Sequence, residues 1–237
     1  MFELFEGIIL EEENHTYRFK EHAFKYSVTG FIEKFCQKFD QEYWSKFVAK
    51  RDNIPQEEVL RQWSERASLS SEKGNQFHLF MECTLNDYIQ KKSSTIEYDN
   101  EVLKNHGMSF FEDVIQSKRI TPLYLEKTIF DLDLDIAGTV DFFGINHQNE
   151  YIILDWKTNR EIKRNNKFAK MLPPFEEFDD SNFYHYSLQL NIYRYIIEKH
   201  CKINVPYLYF IWFNESEERY KLYPCVDMRE QLDVIFK

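Results

Sequence analysis

Glycine and proline are scarce in this 237-residue chain, six of each. That leaves little material for long linkers and excludes collagen-like and low-complexity architectures. The four cysteines, Cys36, Cys83, Cys201 and Cys225, lie far apart and contain no C-x-x-C pair, which argues against a zinc ribbon and gives no disulfide framework; buried free thiols are expected. The longest apolar run, residues 205–213, is far shorter than the roughly 20 residues of a membrane span, so no membrane partner is expected. The opening MFELFEGIILEEEN has no Lys/Arg-rich start and no unbroken apolar stretch, so neither a secretory nor a transit signal is read and an intracellular, cytoplasmic protein is expected. Positive charge is in the minority, 30 Lys and Arg against 40 Asp and Glu, which excludes a protein basic over its whole surface. No P-loop motif is present, so any ATPase or helicase activity has to come from a partner. What the chain does have is 43% hydrophobic and 17% aromatic residues, enough at this length to bury a sizeable core.

The apolar pattern predicts an α/β fold. Short alternating stretches IIL, HTYRF and FKYSV within residues 8–28 read as a small antiparallel sheet, after which Ser27 or Thr29 caps a helix over residues 30–50. A second helix is predicted over 55–67, opened by Pro55, and a third over 68–88, opened by a serine cluster. After an amphipathic helix at 108–116, three strands follow at 123–130, 135–144 and 151–157, joined by turns short enough for hairpins. Residues 183–200 return to helical period, and 205–213 read as a buried strand. The predicted order is helix, three-strand antiparallel meander, helix, strand, preceded by an N-terminal hairpin and helical additions.

Charged residues in the meander carry the chemistry. In YIILDWKTN, positions two apart on a strand share a face, so Asp155 and Lys157 project together while Leu154 and Trp156 face the other way. Asp141, in GTVDFFG on the preceding strand, brings a second carboxylate beside Asp155. Two hard oxygen ligands suit Mg²⁺ or Mn²⁺. Charges directly after an almost wholly apolar strand are costly to bury without a purpose.

Five motifs occur together in order: Gly74-x-x-x-His78, Glu126, Gly138-x-x-Asp141, Asp155-x-Lys157 and Gln189-x-x-x-Tyr193. With them, residues 70–213 resemble the RecB-like branch of the PD-(D/E)xK nuclease superfamily, and the N-terminal hairpin leading into SVTGF resembles phage-type and mitochondrial genome maintenance exonucleases. The resemblance implies a restriction-endonuclease-like core over 70–237, an N-terminal addition over 1–69 packed on it as one compact domain, and a metal-dependent deoxyribonuclease, an exonuclease more than an endonuclease. It implies that His78, Asp141, Asp155 and the Trp156 carbonyl hold the metal, with Glu126 a candidate for a second metal. Lys157 then orients or deprotonates the attacking water, Gln189 bonds the lysine or a phosphate, and Tyr193 contacts nucleic acid. The partners it implies are single- or double-stranded DNA ends and helicase or recombination proteins, in a bacterial or phage-infected cell. Iron-sulfur relatives carry one cysteine before the core and three clustered after it; Cys36 matches the first, Cys201 and Cys225 are not clustered, and no iron-sulfur cluster is expected.

Just after the last meander strand, KTNREIKRNNKFAK concentrates Arg160, Lys163, Arg164, Lys167 and Lys170 against the single acid Glu161. This segment is the expected phosphate-contacting surface, and the EEFDD run at 176–180 is expected to stay in solvent. A catalytically silent nucleic-acid-binding module and an RNA endonuclease on the same fold are the alternative readings.

Overall fold

The computed structural model describes residues 2–11, 16–92 and 97–236. Their architecture is mixed α/β. A three-stranded antiparallel sheet (β1, Ile8–Glu11; β2, Thr16–Phe19; β3, His22–Ala23) adjoins a six-stranded mixed sheet. The larger sheet contains β4 (Tyr26–Ser27), β5 (Ile120–Asp131), β6 (Ile136–Asn146), β7 (Tyr151–Lys157), β8 (Tyr207–Trp212) and β9 (Lys221–Pro224). β5, β6 and β7 form an antiparallel meander, and β8 returns parallel to β7 after helix α5 (Asn182–Cys201). His15, expected to open the second strand, lies outside the described residues.

Two apolar layers cover the sheet. On one face Ile153 and Phe143 pack with Leu188, Ile192 and Ile196 of α5 and with Phe2, Phe5, Val28 and Phe31 from the N-terminal segment. On the other, Phe142, Leu154 and Trp156 pack against Phe77, Phe80 and Met81 of helix α3 (Gln56–Gln90) and Leu103 and Phe110 of α4 (Glu101–Phe110). The strict alternation along β7 assigns each side chain to its layer. A short helix, α6 (Arg229–Phe236), closes the C-terminal end. Among the described residues, no helix is long and apolar enough to cross a membrane.

Several sequence expectations need correction. Residues 30–50 are not one helix. Ser27 does cap, its Oγ accepting from Gly30 N at 3.0 Å, but the resulting α1 (Val28–Ile32) gives way to a single 3-10 turn and then to extended chain at Cys36. The backbone there is claimed by tertiary partners: Leu172 N donates to Phe35 O, and Gln37 N to Asp180 Oδ2. Asp40 restarts the helix as α2 (Gln41–Asp52), its carboxylate accepting from Tyr43 N at 2.8 Å. The helices expected at 55–67 and 68–88 are instead one 35-residue α3. Its serines are flanked by Glu, Arg, Ala, Leu and Lys, and no glycine or proline interrupts it before Gly74. The boundary drawn at residue 69 therefore falls inside a continuous helix.

Helix α4 spans Glu101–Phe110 and runs on as a π-helical turn to Gln116, starting earlier than the pattern indicated. Tyr26 and Ser27 do not join the small sheet; they pair in parallel with Ile136 and Ala137 of β6, pinned by bonds from His22 and Lys25 N to Asp135. The cysteines are free and half-buried rather than buried.

Candidate active site

The site follows from how β6 uses its edges. β5 occupies one edge from Ile120↔Asn146 to Asp131↔Ile136. On the other edge β7 pairs only with Phe142 to Ile145, and β4 only with Ile136 and Ala137. Between them Gly138 to Asp141 have no strand partner on that edge among the described residues, which leaves a gap in the sheet. Continuing the registers, Asp141 stands opposite Asp155 across the gap and opposite Glu126 on β5. Three carboxylates thus fall in one row across three strands.

Backbone strain marks the same place. Glu126 has φ +43°, although its neighbours Leu125 and Lys127 stay paired with Phe142 and Val140. A left-handed non-glycine residue inside a strand costs about 1–3 kcal/mol, and such residues cluster at functional sites.

Helix α3 reaches the gap from the opposite face. His78 Nε2 donates to the Trp156 carbonyl at 3.0 Å, while Nδ1 lies 3.4 Å from Asp141 Oδ2 and 3.7 Å from Glu126 Oε1. The Trp156 carbonyl, expected as a metal ligand, thereby fixes the imidazole and turns Nδ1 toward the carboxylates, as outer partners of metal-bound histidines do. Asp141 Oδ2 also accepts from Trp156 N at 2.7 Å. His78, Glu126 and Asp141 are close enough to share one cation, and Asp155 is the adjacent carboxylate.

Lys157 is held from three sides. Its Nζ lies 2.6 Å from Asp155 Oδ2, donates to Gln189 Oε1 at 3.2 Å, and sits 4.5 Å above the Tyr186 ring. Asp155 Oδ2 is ion-paired with that ammonium, whereas the buried Asp155 Oδ1 and Glu126 Oε1 have no hydrogen-bond partner among the described residues. Gln189 Nε2 donates to Tyr193 Oη at 3.1 Å. Tyr193, expected to touch nucleic acid, is only 3% exposed. Its ring lies over Gly138, where a Cβ would come within 2.8 Å of Cε1, and its hydroxyl positions Gln189 instead.

The electrostatics follow from burial and crowding. Burial raises the Asp141 and Asp155 carboxyls to about 6, helped by repulsion from Glu126 at Asp141 and from Asp141 at Asp155, against the pull of His78 and Lys157. Burial alone would lower the His78 imidazole, but Asp141 and Glu126 outweigh it and raise the ring to about 9. Burial also works against the Lys157 ammonium, yet Asp155 and Asp141 leave its pKa above the ordinary lysine value.

A stability prediction follows for the metal-free protein. Carboxyls with raised folded-state pKa values weaken the fold as pH rises from about 4, where unfolded carboxyls titrate, through about 6. His78 contributes stability that is complete below about 6.5 and lost as pH rises through about 9. Both act in the same direction, so the melting temperature in EDTA falls between pH 5 and pH 9. Calorimetric scans across that range test this, and the slope should flatten in Asp141→Asn; an equal slope in wild type and variant contradicts the assignment.

The basic segment lies in an irregular loop between β7 and α5. Arg160, Lys163, Arg164 and Lys167 are all exposed, but Lys163 pairs with Glu161, Arg164 lies over the Phe183 ring, and Lys170 pairs with Asp179. Arg160 and Lys167 have no ion pair among the described residues. The acidic run behind them stays in solvent only in part: Glu176 and Glu177 are exposed, whereas Asp179 bonds Lys170 and Asn166 N, and Asp180 bonds His185 and Gln37 N.

The sequence puts Tyr186 three residues before Gln189, on the same helix row, but sequence reasoning did not find its contact with Lys157. It also missed the hydroxyl chain Tyr17–Thr139–Thr128 beside the gap, which brings the N-terminal sheet to the site.

No family model matches the chain, and no curated protein matches it. A solved structure described as "Crystal structure of SSO0001" aligns over 54% of this chain and 52% of its own, at 14% identity and a TM-score of 0.31. The chain thus spans about half the length of that protein, and a likeness this low carries no argument about fold or function.

Proposed function

We propose that the chain is a divalent-metal-dependent deoxyribonuclease with a restriction-endonuclease-like core, of the RecB-like PD-(D/E)xK kind, acting on DNA ends. The observation that carries the reading is the convergence of Glu126, Asp141, Asp155 and His78 on one gap in the sheet, with Lys157 beside them. The donor set fits a metal. Glu126 Oε1 and Asp155 Oδ1, buried without a hydrogen-bond partner among the described residues, are costly as they stand, and three carboxylates with one imidazole suit Mg²⁺ or, with the nitrogen donor, Mn²⁺. His78 Nδ1, Glu126 Oε1 and Asp141 Oδ2 would hold one ion, with Asp155 as a further ligand. When bound, the ion supplies an activated water and offsets charge on the phosphate.

The chain's own residues supply the rest. Lys157 is fixed by Asp155, Gln189 and Tyr186; held protonated, it serves as a cation and donor to a phosphate oxygen rather than as a base. His78 and Trp156 orient the carboxylate row. Arg160 and Lys167, exposed and without an ion pair among the described residues, are the side chains freest to meet flanking phosphates.

The test is a time course with Mg²⁺ or Mn²⁺ on end-labelled single-stranded, double-stranded and closed circular DNA, run beside matched RNA. Degradation of the linear DNAs with EDTA-sensitive kinetics, sparing circles, is expected. Cleavage of circles overturns the requirement for an end, preferential digestion of RNA overturns the substrate class, and no cleavage of any substrate overturns the enzyme reading.

A further inference from the structure

A second cluster of metal-binding side chains lies outside the gap. Cys36 follows the 3-10 turn after α1, Asp180 ends the loop between β7 and α5, and His185 stands in the first turn of α5. His185 Nε2 is 2.6 Å from Asp180 Oδ1 and 3.3 Å from Cys36 Sγ, and the three donor atoms are close enough to share one ion.

The contacts do not form a hydrogen-bonded relay. A Cys–His–Asp relay uses both ring nitrogens, one for each partner. Here the thiol and the carboxylate converge on the same nitrogen, which carries at most one proton and cannot serve both as donor; the thiol's own proton goes to the Ile32 carbonyl, 3.4 Å from Sγ. A cation at the point of convergence would take the sulfur, the ring nitrogen and the carboxylate oxygen together, replacing the thiol proton that now goes to Ile32.

We propose that Cys36, Asp180 and His185 form a second cation site, distinct from the candidate active site, that takes a zinc-class divalent ion. The donor types favour this ion: a thiolate and an imidazole are soft and borderline ligands that select zinc over magnesium. The spacing agrees. With zinc-to-sulfur and zinc-to-nitrogen bonds of about 2.3 and 2.0 Å, tetrahedral ligands stand roughly 3.3–3.6 Å apart. The sulfur–nitrogen separation already matches, and the Asp180–His185 pair has to open by less than about 1 Å.

Asp180 is held from outside, its Oδ2 accepting from Gln37 N at 2.6 Å, in the manner of an oriented metal carboxylate. Three protein ligands leave a fourth position for water. The ion would clamp the segment after α1 and the end of the basic loop to the start of α5. The residue after His185 is Tyr186, whose ring covers Lys157, so the clamp would steady one wall of the gap without touching it. This assignment stands whether or not the gap hydrolyses DNA.

The test uses the full-length chain loaded with Co²⁺ and, separately, with Zn²⁺. Wild type should give a near-ultraviolet thiolate-to-cobalt absorption that Cys36→Ser lacks and Asp141→Asn retains. It should also retain zinc on gel filtration, with affinity at least about tenfold weaker in Asp180→Asn. Circular dichroism checks that each variant is folded. Asp180→Asn keeps an oxygen to accept from Gln37 N, so it carries the test if Cys36→Ser does not fold. No thiolate band in wild type, an undiminished band in Cys36→Ser, or unchanged zinc affinity in folded Asp180→Asn overturns the site.

Discussion

Lys157→Met is expected to lower DNA hydrolysis by about a thousandfold, in line with the loss of one preorganised charged donor, while leaving the chain folded. The ammonium is the one cation in the gap among the described residues apart from His78, and its neighbours fix it in place before any substrate arrives. Methionine keeps the stem and removes the charge. The same substitution strands Asp155, which is 1% exposed, without its counter-ion, and an uncompensated buried charge costs about 3–5 kcal/mol. The double variant Asp155→Asn/Lys157→Met should therefore be more stable than Lys157→Met alone, yet no more active. Steady-state rates and denaturant melts on the single and double variants separate the two effects. Near-wild-type turnover in Lys157→Met would sink the assigned role, and additive stabilities would show that the ion pair is not coupled.

Gly144→Ala should be the most destabilising small substitution in the sheet. An added Cβ would lie 2.5 Å from the Thr121 carbonyl oxygen and 2.7 Å from Phe142 Cε1. The first is backbone of the paired strand β5, so no side-chain rotation relieves the clash. Overpacking of this kind costs about 3 kcal/mol, which for a chain of this size lowers the melting temperature by roughly 6–12 °C. Thermal scans of metal-free protein at one pH provide the measurement. A change of less than roughly 2 °C would mean that β5 yields at its irregularity between Pro122 and Tyr124.

The parts of the fold that were legible in the sequence are those where local pattern and burial agree. The run YIIL followed by Asp155-x-Lys157 gave β7 its bounds and its two faces, because a period of two leaves no freedom once one face is apolar. The five spaced motifs picked out Glu126, Asp141, Asp155, Lys157, His78 and Gln189, which the fold brings to one gap. What was not legible depends on distant partners. The chain breaks at Cys36 because Leu172 and Asp180 capture the backbone there, and nothing within ten residues announces that. Tyr193 is buried because Gly138, far away in sequence, has no side chain to keep its ring at a distance. β9 and α6, four and eight residues long, are too short for a period to stand out.

The unbroken α3 has one further consequence. Between the part of the helix that packs on α2 and the turn that carries His78, residues 64–72 are exposed throughout. Their identities are therefore lightly constrained, but their number is not. Each residue of an α-helix advances the azimuth by about 100°, so inserting or deleting a single one would swing α2 and its exposed Tyr43, Trp44 and Phe47 around to another side of the molecule while His78 stayed in place. This stretch behaves as a phase spacer, free to drift in composition and locked in length.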